Sequence, residues 1–257
     1  MKIAVCLSGQ PRYVEEGSAS LKGIFPKDAI IDYYGHFWWN PESINRPFRF
    51  HCLDTLDFNT LNILYNTYEF KRSIIEPQID FDTSRYDLEN GSQSRDLAEH
   101  HKHLFSKEVI FKQLSMYYSI CKSFDLIEDY LSYDYIVRSR TDLKFANQIV
   151  WDNLDCFWHT DLPYKDFPAN GINDTFCIIK PSLLDRVKRL FEEIPIITKY
   201  KVIRSHELLL KFLHKYDIPV MQHDWQISII RNYKYPKHMD TYSKDTPESE
   251  LPFWFKK

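Results

Sequence analysis

Glycine is scarce in this chain, with six in 257 residues. None falls into GxGxxG or GxxxxGK[ST] spacing, which excludes the glycine-rich cradles of dinucleotide and P-loop sites. Five cysteines (Cys6, Cys52, Cys121, Cys156 and Cys177) form an odd set without a CxxC pair. That argues against a disulfide framework or a zinc ribbon and suits a reducing compartment. Long apolar runs are missing too. The first run follows a single lysine, spans five residues and ends in Ser-Gly-Gln-Pro, too short for a signal peptide or a membrane span. A cytoplasmic protein with no membrane span is therefore expected. The net charge of −3 provides no global basic field, so nucleic acid is not an expected partner. HELLL at 206–210 has Leu210 where a zinc-binding HExxH helix needs its second histidine, and the tandem histidines of EHHKH at 99–103 read as a solvated loop.

What is present is the composition of a globular protein, 44% hydrophobic and 27% charged, long enough for one domain over residues 1–257. Aromatic residues reach 16%, and Tyr and Trp offer stacking faces with polar handles for bases and sugar rings. KIAVCL (2–7) reads as a strand buried on both faces. A helix follows over about Glu15 to Leu21, then a strand, AIIDYYGHF (29–37). Between Asn40 and His103 the pattern weakens into loops and short helices. Ser106 reads as the N-cap of a long helix whose stripe is Ile110, Leu114, Tyr117, Cys121 and Phe124. Next come strands YDYIVRS (133–139) and TFCIIK (175–180), a helix with stripe Leu184, Val187, Phe191 and Ile194, a helix opening at Ser205, and strand-like IPVMQH (218–223). This alternation predicts an α/β fold with a mostly parallel central sheet flanked by helices, whose ligands sit beyond the carboxyl ends of the strands.

Four stretches fall at such ends. In LSGQPR (7–12), Gly9 permits close backbone approach, and Ser8, Gln10 and Arg12 offer hydrogen bonds to a base, ribose or phosphate. HFWW places His36 beside two tryptophans, at least one of which is expected in the core. In YIVRSRTDL (135–143) strand alternation would project Arg138, Arg140 and Asp142 onto one surface. Two readings follow: an arginine fork for a diphosphate or carboxylate, or an internal Arg/Asp salt bridge closing the strand end. Asp174, in INDTF, is the first candidate for a general base, with Glu207 or His206 second. A turn or cap role for Asp174, and a dipole interaction for Glu207 in the first turn of a helix, are the plain alternatives.

LSGQPR after an N-terminal strand, IDYYGHFWW, LSMYYSICKSFDLIEDY leading into YDYIVRSRTDLKF, GINDTFCIIKPSLLD and SHELLLKFLHKYDIPV occur in this order. The set resembles small glycosyltransferase-like proteins of GT-A fold from large DNA viruses, phages and bacteria. The likeness runs from about residue 2 to residue 231, outside 45–100. It implies a GT-A-like (Rossmann-like) sheet, a nucleotide-sugar-binding half at 1–145 and an acceptor half at 146–257. It further implies transfer of a sugar from a nucleotide-sugar donor such as a UDP-sugar to a hydroxyl acceptor, a glycan or a protein-linked sugar. Ser8, Gly9, Gln10, Arg12, His36, Arg138 and Arg140 would hold the donor, Asp142 would hold Mn²⁺ or Mg²⁺, and Arg140, Asp174 and Glu207 would serve the chemistry. The chain departs from the family's Asp-x-Asp motif, because Arg140 stands at its first acidic position and one carboxylate remains. Fixed cations and a metal ion can each compensate a diphosphate leaving group. The departure also favours an alternative, a non-catalytic nucleotide- or carbohydrate-binding protein on the same fold. A structural protein with an aromatic interface and some other nucleotide-dependent transferase are further competitors.

Overall fold

A computed structural model describes residues 1–43, 56–86, 107–152, 154–160, 172–200 and 205–230. The chain opens with β1 (Lys2–Gly9), α1 (Val14–Lys22) and β2 (Ile30–Trp38). After these come α2 (Thr60–Thr67), β3 (Phe70–Glu76), α3 (Lys107–Asp125), β4 (Tyr135–Ser139), β5 (Leu143–Phe145), β6 (Phe157–Thr160) and β7 (Cys177–Ile179). The last described elements are α4 (Leu184–Val187), α5 (Leu190–Thr198), α6 (Ser205–Lys215), β8 (Val220–His223) and β9 (Ile227–Ile229). Seven strands form a mixed, mostly parallel sheet in the order β3-β2-β1-β4-β7-β6-β8, and β5 pairs with β9 in a small antiparallel ribbon. Within the large sheet only β7 runs against its neighbours, β4 and β6.

Why β1 lies inside the sheet follows from its sequence. Ile3 to Ser8 are all buried, as an unbroken apolar run requires when helices cover both faces. Period-two alternation divides its side chains. Ala4 and Cys6 join Ile136 in a core with Leu114 and Tyr117 of α3, Ile194 of α5 and Phe212 of α6. Ile3, Val5 and Leu7 join Val137 in a second core with Val14 and Leu21 of α1 and Leu64 of α2. Full burial of each such side chain contributes roughly 1.5–3 kcal/mol, so the two cores fix both helical layers on the sheet.

The stripe foreseen for α3 is buried at Ile110, Leu114, Tyr117, Cys121 and Phe124, whereas Ser106 and EHHKH lie outside the described residues. Two expectations need correction, and one strand is unforeseen. The stretch read as loops and short helices contains β3, an edge strand parallel to β2. The helix expected through Leu184 to Ile194 breaks between α4 and α5, where Arg189 N–H bonds back three residues to Arg186 O at 3.2 Å. Finally, FWHT forms strand β6 without any alternating pattern to announce it. Among the described residues no helix is long and apolar enough to cross a membrane.

Candidate functional site

From β1 the sheet grows outward through β2 and β3, then resumes on the other side of β1 with β4. Strand order therefore reverses between β1 and β4, and in open α/β sheets ligands bind at such a switch point, beyond the carboxyl ends. The ends here are Gly9 and Ser139. Gly9 has φ +107°, a backbone region that disfavours side chains, and no heavy atom lies within 4 Å of where a Cβ would stand. The turn continues through Pro11 to Tyr13, which takes left-handed φ 46° and starts α1. Gln10 and Arg12 bind each other, Arg12 Nη2 donating to Gln10 Oε1.

Two contacts tie this turn to the one after β4. Arg12 N–H donates to Thr141 Oγ1 at 3.0 Å. One turn into α1, Gly17 sits so close to the Thr141 carbonyl that a Cβ would lie 1.7 Å from its oxygen. The rims of β1 and β4 thus behave as one surface.

The alternation expected for Arg138, Arg140 and Asp142 does not survive, because β4 ends at Ser139. Arg140 and Asp142 belong to the following turn. Arg140 Nε and Nη2 donate to Asp142 Oδ1 and Oδ2, both at 2.7 Å. The Arg140 side chain is 26% exposed and Asp142 only 3%. Burial works against the Arg140 charge, but Asp142 outweighs it and the guanidinium pKa is raised. This is the internal salt bridge that closes the strand end.

Arg138 goes elsewhere. It faces α3 from β4, in register with Cys6 on one side and Cys177 on the other, and is 3% exposed. Burial lowers its pKa to about 10 against a partial offset from Asp174. So little of it is exposed that it offers a ligand in the crevice almost no surface, against its expected donor contact.

Asp174 arrives at the same rim from the opposite direction. Since β7 is antiparallel and Cys177 pairs with Arg138, the residues before β7 lie near the carboxyl end of β4. Asn173 accepts from Thr175 N–H and Oγ1 at 2.9 and 2.6 Å, an Asx turn that holds the loop. The Asp174 carboxylate makes no hydrogen bond among the described residues; His206 Nδ1, which bonds Ile172 O at 2.9 Å, stands 3.7 Å away. The charge of Asp174 reaches both Arg138 and Arg140. Glu207 is engaged instead by Lys211 at 2.6 Å along the first turn of α6.

His36, expected at the donor, is fully buried and supports the site from below. Its Nδ1 lies 2.9 Å from Ser119 Oγ, and its Nε2 lies 2.8 Å from Glu76 Oε1. Burial lowers the His36 pKa, and Glu76 offsets this only in part, so the ring is neutral near pH 7. A neutral ring has one N–H, which belongs on Nε2 facing the carboxylate, so the single Ser119 hydroxyl proton is shared between His36 Nδ1 at 2.9 Å and the His36 carbonyl oxygen at 3.1 Å. Ser119 Oγ in turn accepts the Gly9 N–H at 3.0 Å. A line of hydrogen bonds thus runs from the Gly9 turn through Ser119 and His36 to Glu76. Trp38 is core, stacked on Tyr118 at 5.5 Å, as expected for one of the pair. Ser8 Oγ is buried with no partner among the described residues and, by alternation with Cys6, faces α3.

Sequence reading passed over Ser119, Glu76 and Thr141. A signal for Ser119 existed: Ser115, Ser119 and Ser123 recur every four residues beside the apolar stripe of α3, and all three are buried. Small hydroxyl residues at that spacing let a helix lie close to a sheet while offering hydrogen bonds.

Asp142, the expected metal ligand, has both oxygens bound by Arg140. Among the described residues no three His, Cys, Asp or Glu side chains gather as a metal-binding group. Mg²⁺ and Mn²⁺ call for several oxygen ligands, a set that the described side chains do not supply by themselves. Compared with known protein families and with curated proteins, the chain matches no family model and no curated sequence.

Proposed function

We propose that this protein is a GT-A-like glycosyltransferase, using a nucleotide-sugar donor laid across the β1/β4 crevice and a hydroxyl-bearing glycan acceptor. One observation carries the reading. Of the carboxylates considered for the chemistry, Asp142 and Glu207 are held by Arg140 and Lys211, whereas Asp174 makes no hydrogen bond among the described residues. A general base must have a lone pair to offer.

In this mechanism Asp174 takes the acceptor hydroxyl proton as the new bond forms to the anomeric carbon. The bond from that carbon to the diphosphate oxygen breaks, and negative charge develops on the leaving group. Arg140 is placed to meet it. A guanidinium has five N–H donors; Asp142 takes two and fixes the plane of the rest. The open backbone at Gly9 and the Gln10–Arg12 pair supply the opposite wall. A direct displacement assisted by one base inverts the anomeric centre.

A second reading, a non-catalytic nucleotide- or carbohydrate-binding protein, is favoured by the charge count at the rim. Arg12 and Arg140 against Asp142 and Asp174 sum to zero, which gives little net attraction for a diphosphate. A thermal-shift screen of UDP- and GDP-sugars with Mn²⁺ or EDTA, paired with donor turnover on a panel of acceptors, separates them. The transferase reading expects stabilisation by one donor class, loss of most of it in Arg140→Ala, and lost turnover with retained donor binding in Asp174→Asn. Binding without turnover for any acceptor favours the binding protein, and equal stabilisation of wild type and Arg140→Ala moves the donor elsewhere.

A further inference from the structure

Asp174 belongs to neither a helix nor a strand, yet a base has to present its carboxylate in one place. On one side of it the loop is held by its own residues, since Asn173 Oδ1 accepts from both Thr175 N–H and Thr175 Oγ1. That turn fixes the local shape of the loop but not where the loop sits. Its seat is set on the other side, where Ile172 meets His206 of α6 at two points. Ile172 N–H donates to His206 O at 3.0 Å, and His206 Nδ1 lies 2.9 Å from Ile172 O. A carbonyl oxygen has only lone pairs to offer, so Nδ1 carries the ring proton and donates it. In the neutral ring Nε2 is then bare. The same Nδ1 stands 3.7 Å from Asp174 Oδ1, too far for a hydrogen bond but near enough for the electropositive edge of the ring to attract the carboxylate without occupying its lone pairs.

His206 is itself anchored. It lies in the first turn of α6, where the Ser205 carbonyl accepts the hydroxyl of Tyr117 at 2.6 Å, and Tyr117 is fully buried on α3. Leu208 and Leu209 set the start of α6 in the core, and Ile172 is 1% exposed. A line of contacts thus runs from α3 through Ser205 and His206 to Ile172, two residues before the carboxylate.

We propose that His206 is the positioning residue for Asp174: held as the Nδ1–H tautomer, its ring clamps Ile172 to the first turn of α6 and so sets the carboxylate at the rim. The clamp stands on the hydrogen bonds, and its service to a general base rests on the transferase reading above.

Imidazole ¹⁵N spectra and hydrogen exchange of the full chain test the clamp without any substrate. The neutral His206 ring should show Nδ1 protonated and Nε2 bare, and the opposite tautomer overturns the assignment. His206→Asn places an amide N–H where Nδ1–H stood, His206→Phe keeps a ring without a donor, and His206→Gln sets its amide one carbon further out. Exchange at the Ile172 and Thr175 amides should quicken roughly fivefold in His206→Phe, the loss of about one net hydrogen bond, while the amides of β1 keep their protection. His206→Asn should exchange like wild type. Equal exchange in all variants overturns the clamp, and His206→Gln, expected to behave as His206→Phe, stands in if that variant does not fold. In an active enzyme His206→Phe should lower kcat by up to about 100-fold, the cost of a group displaced by about 1 Å, with the donor KM unchanged. His206→Asn should recover most of that loss; equal loss in both overturns the positioning role and assigns the lost rate to Nε2. Quickened exchange that is restored in His206→Asn, in a protein without turnover, sinks the transferase reading alone. Unmoved exchange in an active enzyme sinks this inference alone.

Discussion

Gly17→Ala adds one methyl group where α1 meets the turn after β4. A Cβ at that position would stand 1.7 Å from Thr141 O, whereas real Cβ atoms essentially never approach within 3.0 Å, so helix and turn must separate by about 1.3 Å. The obstacle is backbone and cannot rotate away. Overpacking of this kind costs about 1–3 kcal/mol, and the Arg12 N–H bond to Thr141 Oγ1 adds about 1 kcal/mol when stretched. Against this, alanine gains roughly 1 kcal/mol over glycine inside a helix. Destabilisation of about 1–3 kcal/mol is the net expectation, read as a lower urea midpoint at unchanged slope. Gly23→Ala is the internal control, since Gly23 has φ −69° and its added Cβ would meet only carbonyl oxygens at 3.4 and 3.6 Å. There the substitution should be neutral or stabilising by roughly 0.4–1 kcal/mol, through the unfolded chain. If Gly17→Ala matches or exceeds wild-type stability, the contact between α1 and the Thr141 turn is not as described.

Ser119→Ala removes the hydroxyl that joins Gly9 N–H to His36 and takes the hydroxyl partner from the Gly9 N–H and from His36 Nδ1, while Nε2 keeps Glu76. Stability should fall by about 1–3 kcal/mol in urea titration, with faster hydrogen exchange at the Gly9 amide. His36 has a folded pKa below its unfolded value near 6.5 because burial disfavours the cation. Between those two values the unfolded chain binds more protons, so stability falls as pH drops below about 6.5 and is unaffected by this group above it. His36→Asn should flatten the Tm-against-pH curve in that window, and parallel curves would remove His36 as the source. At the amino edge of the sheet, Tyr133→Phe deletes a hydroxyl that donates to Asp32 and meets Tyr34 OH at 2.8 Å and Lys71 Nζ at 3.2 Å. About 1–2 kcal/mol should be lost without any change in nucleotide-sugar thermal shift.

Much of the sheet could be read from the chain because burial on both faces writes itself as uninterrupted apolar sequence, as in KIAVCL. β3 escaped because it is an edge strand: FKRSIIE is no more than partly buried and carries Lys71, Arg72 and Glu76. β6 has four residues, fewer than a pattern needs. The site was harder for a different reason. Alternation assumes that a strand continues, and nothing local announced that β4 stops at Ser139 and turns Arg140 back onto Asp142. The carboxyl-edge positions of Gly9 and Asp174 followed from topology. The partnership of His36 with Ser119, 83 residues away, is a tertiary fact that one-dimensional spacing does not encode.

The direction of a single short strand sets the sign of charge at the rim. β7 enters from the crevice side, so Asp174 precedes it there and Lys180 leaves at the far end of the sheet. Had the same segment threaded this slot in line with its neighbours, an ammonium group would face the crevice in place of a carboxylate. The edge would then carry three cations and one acid, suited to gripping an anion and deprived of its proton acceptor.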